Sequence, residues 1–396
     1  MELNIAVIGQ GYVGLPLAIA IAEAGISVIG VDKNAIHVNE LNLGKAQIED
    51  VSDEQLRVVL KSGKYFASTD YSIIGNSTVF LVCVPTPLHD HKPDLSFLLD
   101  AVKSLGFHLK VGDLVIIEST IEPGTTRNIV IPLLERESNL SRDKFHVVFS
   151  PERIDPTNQS WNLRNTPKLV AGSTKEATEM AVKFYSKFIT HLIECDSFEV
   201  AETAKLLENS FRFVNISFIN ELSQFCQKLG VDINDVIDAA ATKPYGFMPF
   251  YPSIGIGGHC IPVDPLYLAN KAREMGASTR FIDLADKVNQ EMPEYFVGRA
   301  EEKLGELKEK KVLIIGVAYK SNVADVRESP VEALIAGLRR KGAKVSWHDD
   351  LVKEWSGEKS VKLSADFDLA ILATPHDYLD LKEIGNTPLI NTRESN

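Results

Sequence analysis

Near the start of the chain a strand, a glycine turn and a helix follow one another without a gap, and that succession restricts the fold more than any other feature. Ile5-Ala6-Val7-Ile8 is a continuous apolar run, as expected of a strand buried on both faces. Gly9-Gln10-Gly11-Tyr12-Val13-Gly14 follows and opens an apolar helical pattern carrying Ala18 and Ala24. In such a turn the glycines serve a tight bend, close approach of a pyrophosphate and close helix packing, while the helix N-terminus meets the phosphate charge. GxGxxG alone is weak evidence. Here Asp32 ends the next strand-like run, where a carboxylate accepts hydrogen bonds from both ribose hydroxyls. It would also repel a 2′-phosphate, so the expected cofactor is NAD rather than NADP, with the neighbouring Lys33 acting against that discrimination. A glycine turn that binds nothing is the alternative, and the register of strand, turn, helix and acid disfavours it.

The same architecture recurs along the chain. Strand-like runs at 5–8, 28–31, 78–84, 114–118, 145–149 and 169–171 alternate with helical patterns. Apolar strands separated by helices predict a parallel sheet covered on both faces, a doubly wound domain. From about 197 a long helical pattern runs to Leu229, interrupted at Gly230, and a second helix is expected over 234–242. An irregular stretch over 243–265, rich in Pro, Gly and aromatics, precedes a helical run over 266–307. Strands resume with Val312-Leu313-Ile314-Ile315-Gly316, then 345–349 and 369–373. The expected fold is therefore α/β: two Rossmann-like doubly wound domains joined by a long central helix and a helical region. The expected boundaries are 1–196, 197–300 and 301–396. The second glycine-ended strand, Gly316-Val317-Ala318-Tyr319-Lys320, lacks the full fingerprint and is expected to bind something other than a dinucleotide.

Composition narrows the partners. The chain has 396 residues, 44% of them hydrophobic, enough for packed cores. A formal net charge of −12 argues against nucleic acid or an anionic membrane as a partner, since either would need a basic face. The most apolar stretch, over 13–31, is broken by Glu23 and Gly25, so no membrane span is expected. With no basic leader before the first strand, a cytoplasmic protein is the expectation. Cys83, Cys195, Cys226 and Cys260 form neither a CxxC pair nor a disulfide framework, and no metal site is expected.

The most informative chemistry lies at Ile254-Gly255-Ile256-Gly257-Gly258-His259-Cys260-Ile261-Pro262-Val263-Asp264-Pro265. Glycines before a cysteine let backbone approach a ligand and leave the thiol uncrowded, as a nucleophile requires. Cys83 and Cys226, in apolar surroundings, read as buried small hydrophobes. On the long helix, Lys205 and Asn209 are four apart and share a face. A helix lysine is usually solvated. This one lies beside an apolar stretch interrupted by Asn209 and Ser210, so a Lys/Asn pair polarising one substrate oxygen is the competing reading. Glu152 follows the strand 145–149, at the carboxyl end where open α/β sheets bind ligands. Pro85-Thr86-Pro87 and Ser119-Thr120 occupy two more such ends.

Taken together, these motifs resemble the nucleotide-sugar 6-dehydrogenase family, which includes UDP-glucose and UDP-N-acetylhexosamine dehydrogenases. The resemblance rests on the opening glycine turn, Val84-Pro85-Thr86-Pro87, Ser119-Thr120, Ser150-Pro151-Glu152, Ala204-Lys205-Leu206 with Asn209, and Gly257-Gly258-His259-Cys260. It continues through Asp264, Tyr319-Lys320 and Asp325-Val326-Arg327-Glu328-Ser329-Pro330. It implies a C-terminal UDP-sugar-binding domain and a homodimer through the central helix. It implies four-electron oxidation of a sugar alcohol to the uronate with two NAD, feeding cell-surface polysaccharide synthesis.

By the same resemblance, Cys260 is the nucleophile, supported by Lys205, Asn209 and Asp264. Glu152 is the acid/base, and Thr120 helps hold water and cofactor. Gly9, Gly11, Tyr12, Val13, Gly14, Asp32, Pro85, Thr86, Ser119, Thr120 and Arg327 would contact the cofactor. Glu152, Arg153, Lys205, Asn209, Tyr251, Ile254, Gly255, Gly257 and Lys320 would contact the substrate. The aromatic and Met-rich stretch over 242–252, with His259 before the cysteine, is most similar to UDP-N-acetylglucosamine 6-dehydrogenases. Ser253-Ile254 departs from the Gly-Pro pair usual in that branch. UDP-glucose and UDP-ManNAc remain as alternative substrates. Two rival readings are a single-step β-hydroxyacid dehydrogenase and a non-catalytic NAD-responsive protein.

Overall fold

The computed structural model describes residues 4–48, 50–89, 92–155, 158 and 160–394. Two compact units emerge, Met1–Leu207 and Glu208–Asn396. The boundary falls inside the helix Phe198–Leu229.

In the first unit the strands of the main sheet are β1 (Asn4–Ile8), β2 (Ser27–Val31), β3 (Tyr65–Ser68), β4 (Val79–Val82), β5 (Leu114–Ile117), β6 (His146–Phe149), β7 (Lys168–Gly172) and β8 (Leu192–Glu194). They form one sheet in the order β8-β7-β6-β5-β4-β1-β2-β3. Alternate residues of each run feed opposite cores. Ile5, Val7, Val79, Leu81, Leu114 and Ile116 pack on one face. Ala6, Ile8, Phe80, Val82, Val115 and Ile117 pack on the other. The continuous apolar runs are thus strands covered on both sides, each buried large side chain contributing roughly 2 kcal/mol of transfer free energy.

Two expectations need correction. The sheet is not wholly parallel, because β6 and β7 pair antiparallel, Val148 with Gly172 and Phe149 with Ala171. Among the described residues between them there is no helix, so the chain turns back without the crossover that a parallel neighbour requires. The edge strands β3 and β8 were not anticipated. Each is a short, partly exposed run with little apolar signal.

In the second unit, helices Ile233–Ala241, Asp264–Glu274 and Arg280–Leu304 precede a four-stranded parallel sheet. Its strands are β9 (Lys311–Ile315), β10 (Lys344–His348), β11 (Leu369–Leu372) and β12 (Leu389–Asn391), in the order β10-β9-β11-β12. The helical run expected over 266–307 is two helices, because the chain after Met275 passes through Gly276 at φ +74°, a left-handed position that ends a helix. Val312 and Ile314 pack on one face of the sheet and Leu313 and Ile315 on the other.

Candidate active site

The opening turn is built by steric need. Gly9 bends at φ +89°, and a Cβ there would lie 2.5 Å from the Cys83 carbonyl oxygen. A Cβ on Gly14 would overlap the Gly9 carbonyl oxygen, so the helix Gly14–Glu23 starts hard against the turn. Gly11 is different: nothing lies within 4 Å of the position its Cβ would take. The helix start at Val13 has no side-chain cap and no acid in its first turn, leaving N–H groups and positive dipole for an anion. Asp32 accepts hydrogen bonds from the Gln10 and Asn34 amides, both at 2.9 Å, which ties the acid that follows β2 to the glycine turn. Lys33 turns to Asp100 at 2.8 Å. The open space at Gly11, the uncapped helix and the anchored acid fit NAD.

Gln10 braces this turn. Its Nε2 donates to the Val7 carbonyl at 2.8 Å, and its Oε1 accepts from the buried Tyr65 hydroxyl. Gly30 has no side chain because a Cβ would lie 2.5 Å from that Oε1. Burial, reinforced by the charge of Asp32, pushes the Tyr65 phenol well above its ordinary range, so it stays a donor.

The neighbouring strand ends are linked. The Thr86 hydroxyl donates to the Thr120 carbonyl at 2.8 Å, and the Ser119 hydroxyl to the Val84 carbonyl at 2.7 Å. Pro85 is exposed, and Thr86 and Thr120 are half-buried. Beyond β6, Glu152 accepts a hydrogen bond from the Ile154 amide. Burial raises its carboxyl above the usual range, against the opposing pull of Lys205, that amide and Lys168. Glu152 and Arg153 line a small cleft with Pro151, Ile154, Leu163 and Pro167, and Arg153 donates to the Pro167 carbonyl at 2.6 Å.

Lys205 is 7% exposed, which removes the solvated-lysine reading. Glu202 lies one turn earlier on the same helix. It is fully buried and accepts from the Gly124 amide, the Thr126 amide and the Thr126 hydroxyl.

In the second unit, Asn209 donates to Asp264 at 2.5 Å, both side chains being buried. The Asp264 amide in turn donates to the Cys260 carbonyl at 2.8 Å. Cys260 is half-buried, whereas Cys83 and Cys226 are buried, and burial pushes the Cys83 thiol well up.

The glycines before Cys260 serve the chain's own packing. A Cβ on Gly257 would meet the Glu328 carbonyl oxygen at 2.7 Å and Tyr319 at 2.8 Å, and one on Gly258 would meet the Tyr319 ring at 2.8 Å. The missing side chains make room for the chain's own segment 319–330. That contact brings the Cys260 loop and the Tyr319-Lys320 and Arg327 motifs together. Lys320 is half-buried, and Arg327 is tied to Asp325 at 2.5 Å. Ser253 shapes the turn through its amide, which donates to Asn220 at 2.8 Å, and its hydroxyl, which donates to the Gly255 carbonyl at 3.1 Å. Ile254 is buried in the core around Phe296, and Tyr251 is half exposed.

The second glycine turn repeats the first with one difference. Gly316 (φ +81°) donates to the His348 carbonyl at 2.8 Å, as Gly9 does to that of Val31 at the same distance. Asp349 holds the Val317 amide at 2.9 Å, as Asp32 holds that of Gln10. Asp349, however, is 1% exposed and also accepts from His376 at 3.2 Å and from the Leu351 and Val352 amides. An acid so enclosed cannot reach a ribose.

Three buried groups escaped sequence reading: Glu118, Lys168 and Tyr185. Lys168 and Glu118 pair at 2.5 Å with side chains 7% and 1% exposed, and the Tyr185 hydroxyl donates to the other Glu118 oxygen. The one available signal was a charged residue at the edge of each apolar run.

Among the described residues no group of His, Cys, Asp and Glu is arranged to hold a metal, and no helix is long and apolar enough to cross a membrane.

A nucleotide-binding turn on a doubly wound sheet, followed by a cysteine loop packed on a second such domain, defines a dinucleotide-dependent oxidoreductase. The chain belongs to the UDP-glucose/GDP-mannose dehydrogenase family: the family's NAD-binding domain matches residues 3–189, its central domain 199–291 and its UDP-binding domain 313–392. It is an NAD-dependent UDP-sugar dehydrogenase. Similar proteins include the UDP-N-acetyl-D-glucosamine 6-dehydrogenase of Pseudomonas aeruginosa, 36% identical over 89% of this chain and 83% of that protein. Another is the UDP-N-acetyl-D-mannosamine dehydrogenase of Pyrococcus horikoshii, 34% identical over 94% of this chain and 90% of that one. A solved structure of the UDP-D-ManNAc dehydrogenase from Pyrococcus horikoshii matches with a TM-score of 0.92 at 32% identity, covering 99% of this chain and 95% of that chain.

Proposed function

We propose that the protein oxidises C6 of a UDP-N-acetylhexosamine, UDP-GlcNAc by preference, to the UDP-uronate, as a cytoplasmic step toward cell-surface polysaccharide. The observation that carries this reading is the relay from Asn209 to Asp264 to the backbone of Cys260, because it holds a half-buried thiol at a defined position.

When bound, NAD supplies the hydride acceptor for both oxidations. The first turns the C6 alcohol into an aldehyde. The Cys260 thiolate adds to the aldehyde carbon, the carbonyl oxygen takes the electron pair and then a proton, and a thiohemiacetal forms. Loss of a second hydride and a proton leaves a thioester. Glu152 takes a proton from water as it attacks the thioester carbon; the C–S bond breaks, the thiolate is released and the carboxylate departs. A carboxyl whose hold on a proton is raised by burial suits a group that takes one from water. Lys205 and Asn209 stabilise the oxyanion at each stage. Thr120 helps hold water and cofactor.

Supporting the acetamido sugar are the names of the relatives and the exposed Tyr245, Met248 and Tyr251, which suit a methyl group. We assign the domains as 1–196, 197–300 and 301–396, with substrate contacts from Arg153, Tyr251, Ile254, Gly255, Gly257 and Lys320. Pro85, Thr86, Ser119 and Arg327 serve the cofactor. A homodimer through the long helix is supported by Phe211, Phe218 and Phe225, exposed at seven-residue spacing on one face and flanked by exposed Leu207 and Leu229.

The test counts NADH per sugar with UDP-Glc, UDP-GlcNAc, UDP-GalNAc and UDP-ManNAc. Two equivalents are expected, fastest with UDP-GlcNAc; one equivalent would refute the thioester route. Cys260→Ser is expected to turn over slowly and trap a covalent ester visible by mass. Wild-type turnover from that variant would equally sink the route.

A further inference from the structure

The Glu118–Lys168 pair at the carboxyl edge of the first sheet has no part in the chemistry above, yet two opposite charges are buried there at 2.5 Å. Such a pair contributes little to stability for its own sake, because desolvation cancels most of the attraction. Its geometry shows what it holds. The Lys168 ammonium has three hydrogen-bond partners: Glu118 at 2.5 Å, the Ser150 carbonyl at 3.3 Å and the Pro151 carbonyl at 3.3 Å. Those carbonyls belong to the two residues immediately before Glu152. The ammonium cannot drift, since Tyr185 holds the second Glu118 oxygen and lies with its ring 5.2 Å below the Lys168 nitrogen. The Ser150 hydroxyl closes the same turn on the Leu169 carbonyl at 2.7 Å.

We propose that Lys168, locked by Glu118 and Tyr185, is a positioning residue that fixes the Ser150-Pro151 turn and thereby the orientation of Glu152. The proposal rests on Glu152 being the acid/base of the reaction. The charged and titratable groups acting on Glu152 are Lys205, Lys168 and Glu118, and Cys83 and Tyr185 lie within the same cluster. Removing the Lys168 charge takes away one of two cations that favour the ionised carboxylate, so the acidic limb of the rate profile moves to higher pH.

The experiment compares Lys168→Met, Lys168→Arg, Glu152→Gln and the Lys168→Met/Glu152→Gln double variant, measuring kcat and KM for NAD and UDP-sugar against pH. Lys168→Met is expected to lower kcat roughly 10- to 100-fold, as a small misplacement of a reacting group does. Its KM for NAD should stay within about twofold, and its acidic limb should rise by roughly one pH unit. Lys168→Arg should recover most of the rate. The loss from Lys168→Met should vanish in the Glu152→Gln background. An undiminished loss in that background would overturn the proposal, as would a wild-type profile from folded Lys168→Met. Wild-type turnover by Glu152→Gln alone would instead remove the acid/base reading. Should Lys168→Met fail to fold, Glu118→Gln/Lys168→Met removes both charges at once: the loss of kcat and its disappearance in the Glu152→Gln background are still expected, while the acidic limb moves less, because Glu118 opposes Lys168 at Glu152.

Discussion

Replacing Asp349 with Asn should destabilise the second unit in a way that pH reveals. Burial alone would raise this carboxyl, but hydrogen bonds from His376 and the Val317 and Val352 amides outweigh it and bring the pKa from 3.8 to about 2. A native pKa below the unfolded one means that the ionised form is bound more tightly when folded. The stabilisation is therefore complete above the ordinary carboxylate range and is lost as pH falls through about 4 toward about 2. A shift of that size is worth roughly 2 kcal/mol, or about a 30-fold change in the folded-to-unfolded ratio. Tryptophan fluorescence suits the measurement, because Trp347 is 2% exposed on β10, beside His348 and Asp349, and packs edge-on against Trp355 at 6.1 Å. Urea titrations at pH 7, 5, 4 and 3 should show Asp349→Asn about 2 kcal/mol less stable at the upper two values, with the gap closing at the lower ones. A gap constant across that range would refute the electrostatic account, since a purely steric loss carries no proton linkage.

Two further outcomes follow from the glycine turns and the acid at β2. Asp32→Ala should raise KM for NAD by roughly 10- to 100-fold through lost ribose hydrogen bonds and narrow the preference over NADP, read from initial rates with each cofactor. Gly257→Ala introduces a Cβ 2.7 Å from the Glu328 carbonyl oxygen and should cost roughly 1–3 kcal/mol in denaturant titrations. It should also lower kcat through displacement of the Cys260 loop.

Much of this was legible where local chemistry and global fold demand the same residues. The Gly9 turn, Asp32 and the two-sided apolar strands have a single mechanical explanation each, so position in sequence was enough. The edge strands β3, β8 and β12 were not, because three or four residues with one partner need little apolar character. The reversal at β7 was hidden for another reason: Leu169-Val170-Ala171 reads the same in either direction. The packing role of Gly257 was hidden because a missing side chain does not say whether a ligand or the protein fills the space. Lys168 and Glu118 show the largest gap. Charged residues bordering apolar runs are usually solvated, and only the folded chain shows these two enclosed and serving the turn before Glu152.

The direction of β7 has a consequence for where chemistry can be assembled. In a uniformly parallel sheet, every strand begins at the rim opposite the ligands, and only residues trailing from strand ends can furnish the reactive edge. Here β7 and its parallel neighbour β8 run the other way, and β7 thereby delivers its leading residue, Lys168, to that edge, level with the turn leaving β6. A cation thus reaches the rim from a rigid hydrogen-bonded ladder instead of from a loop. An enzyme relying on a carboxylate held in a narrow range of orientations gains a fixed anchor from what is, topologically, a change of heading.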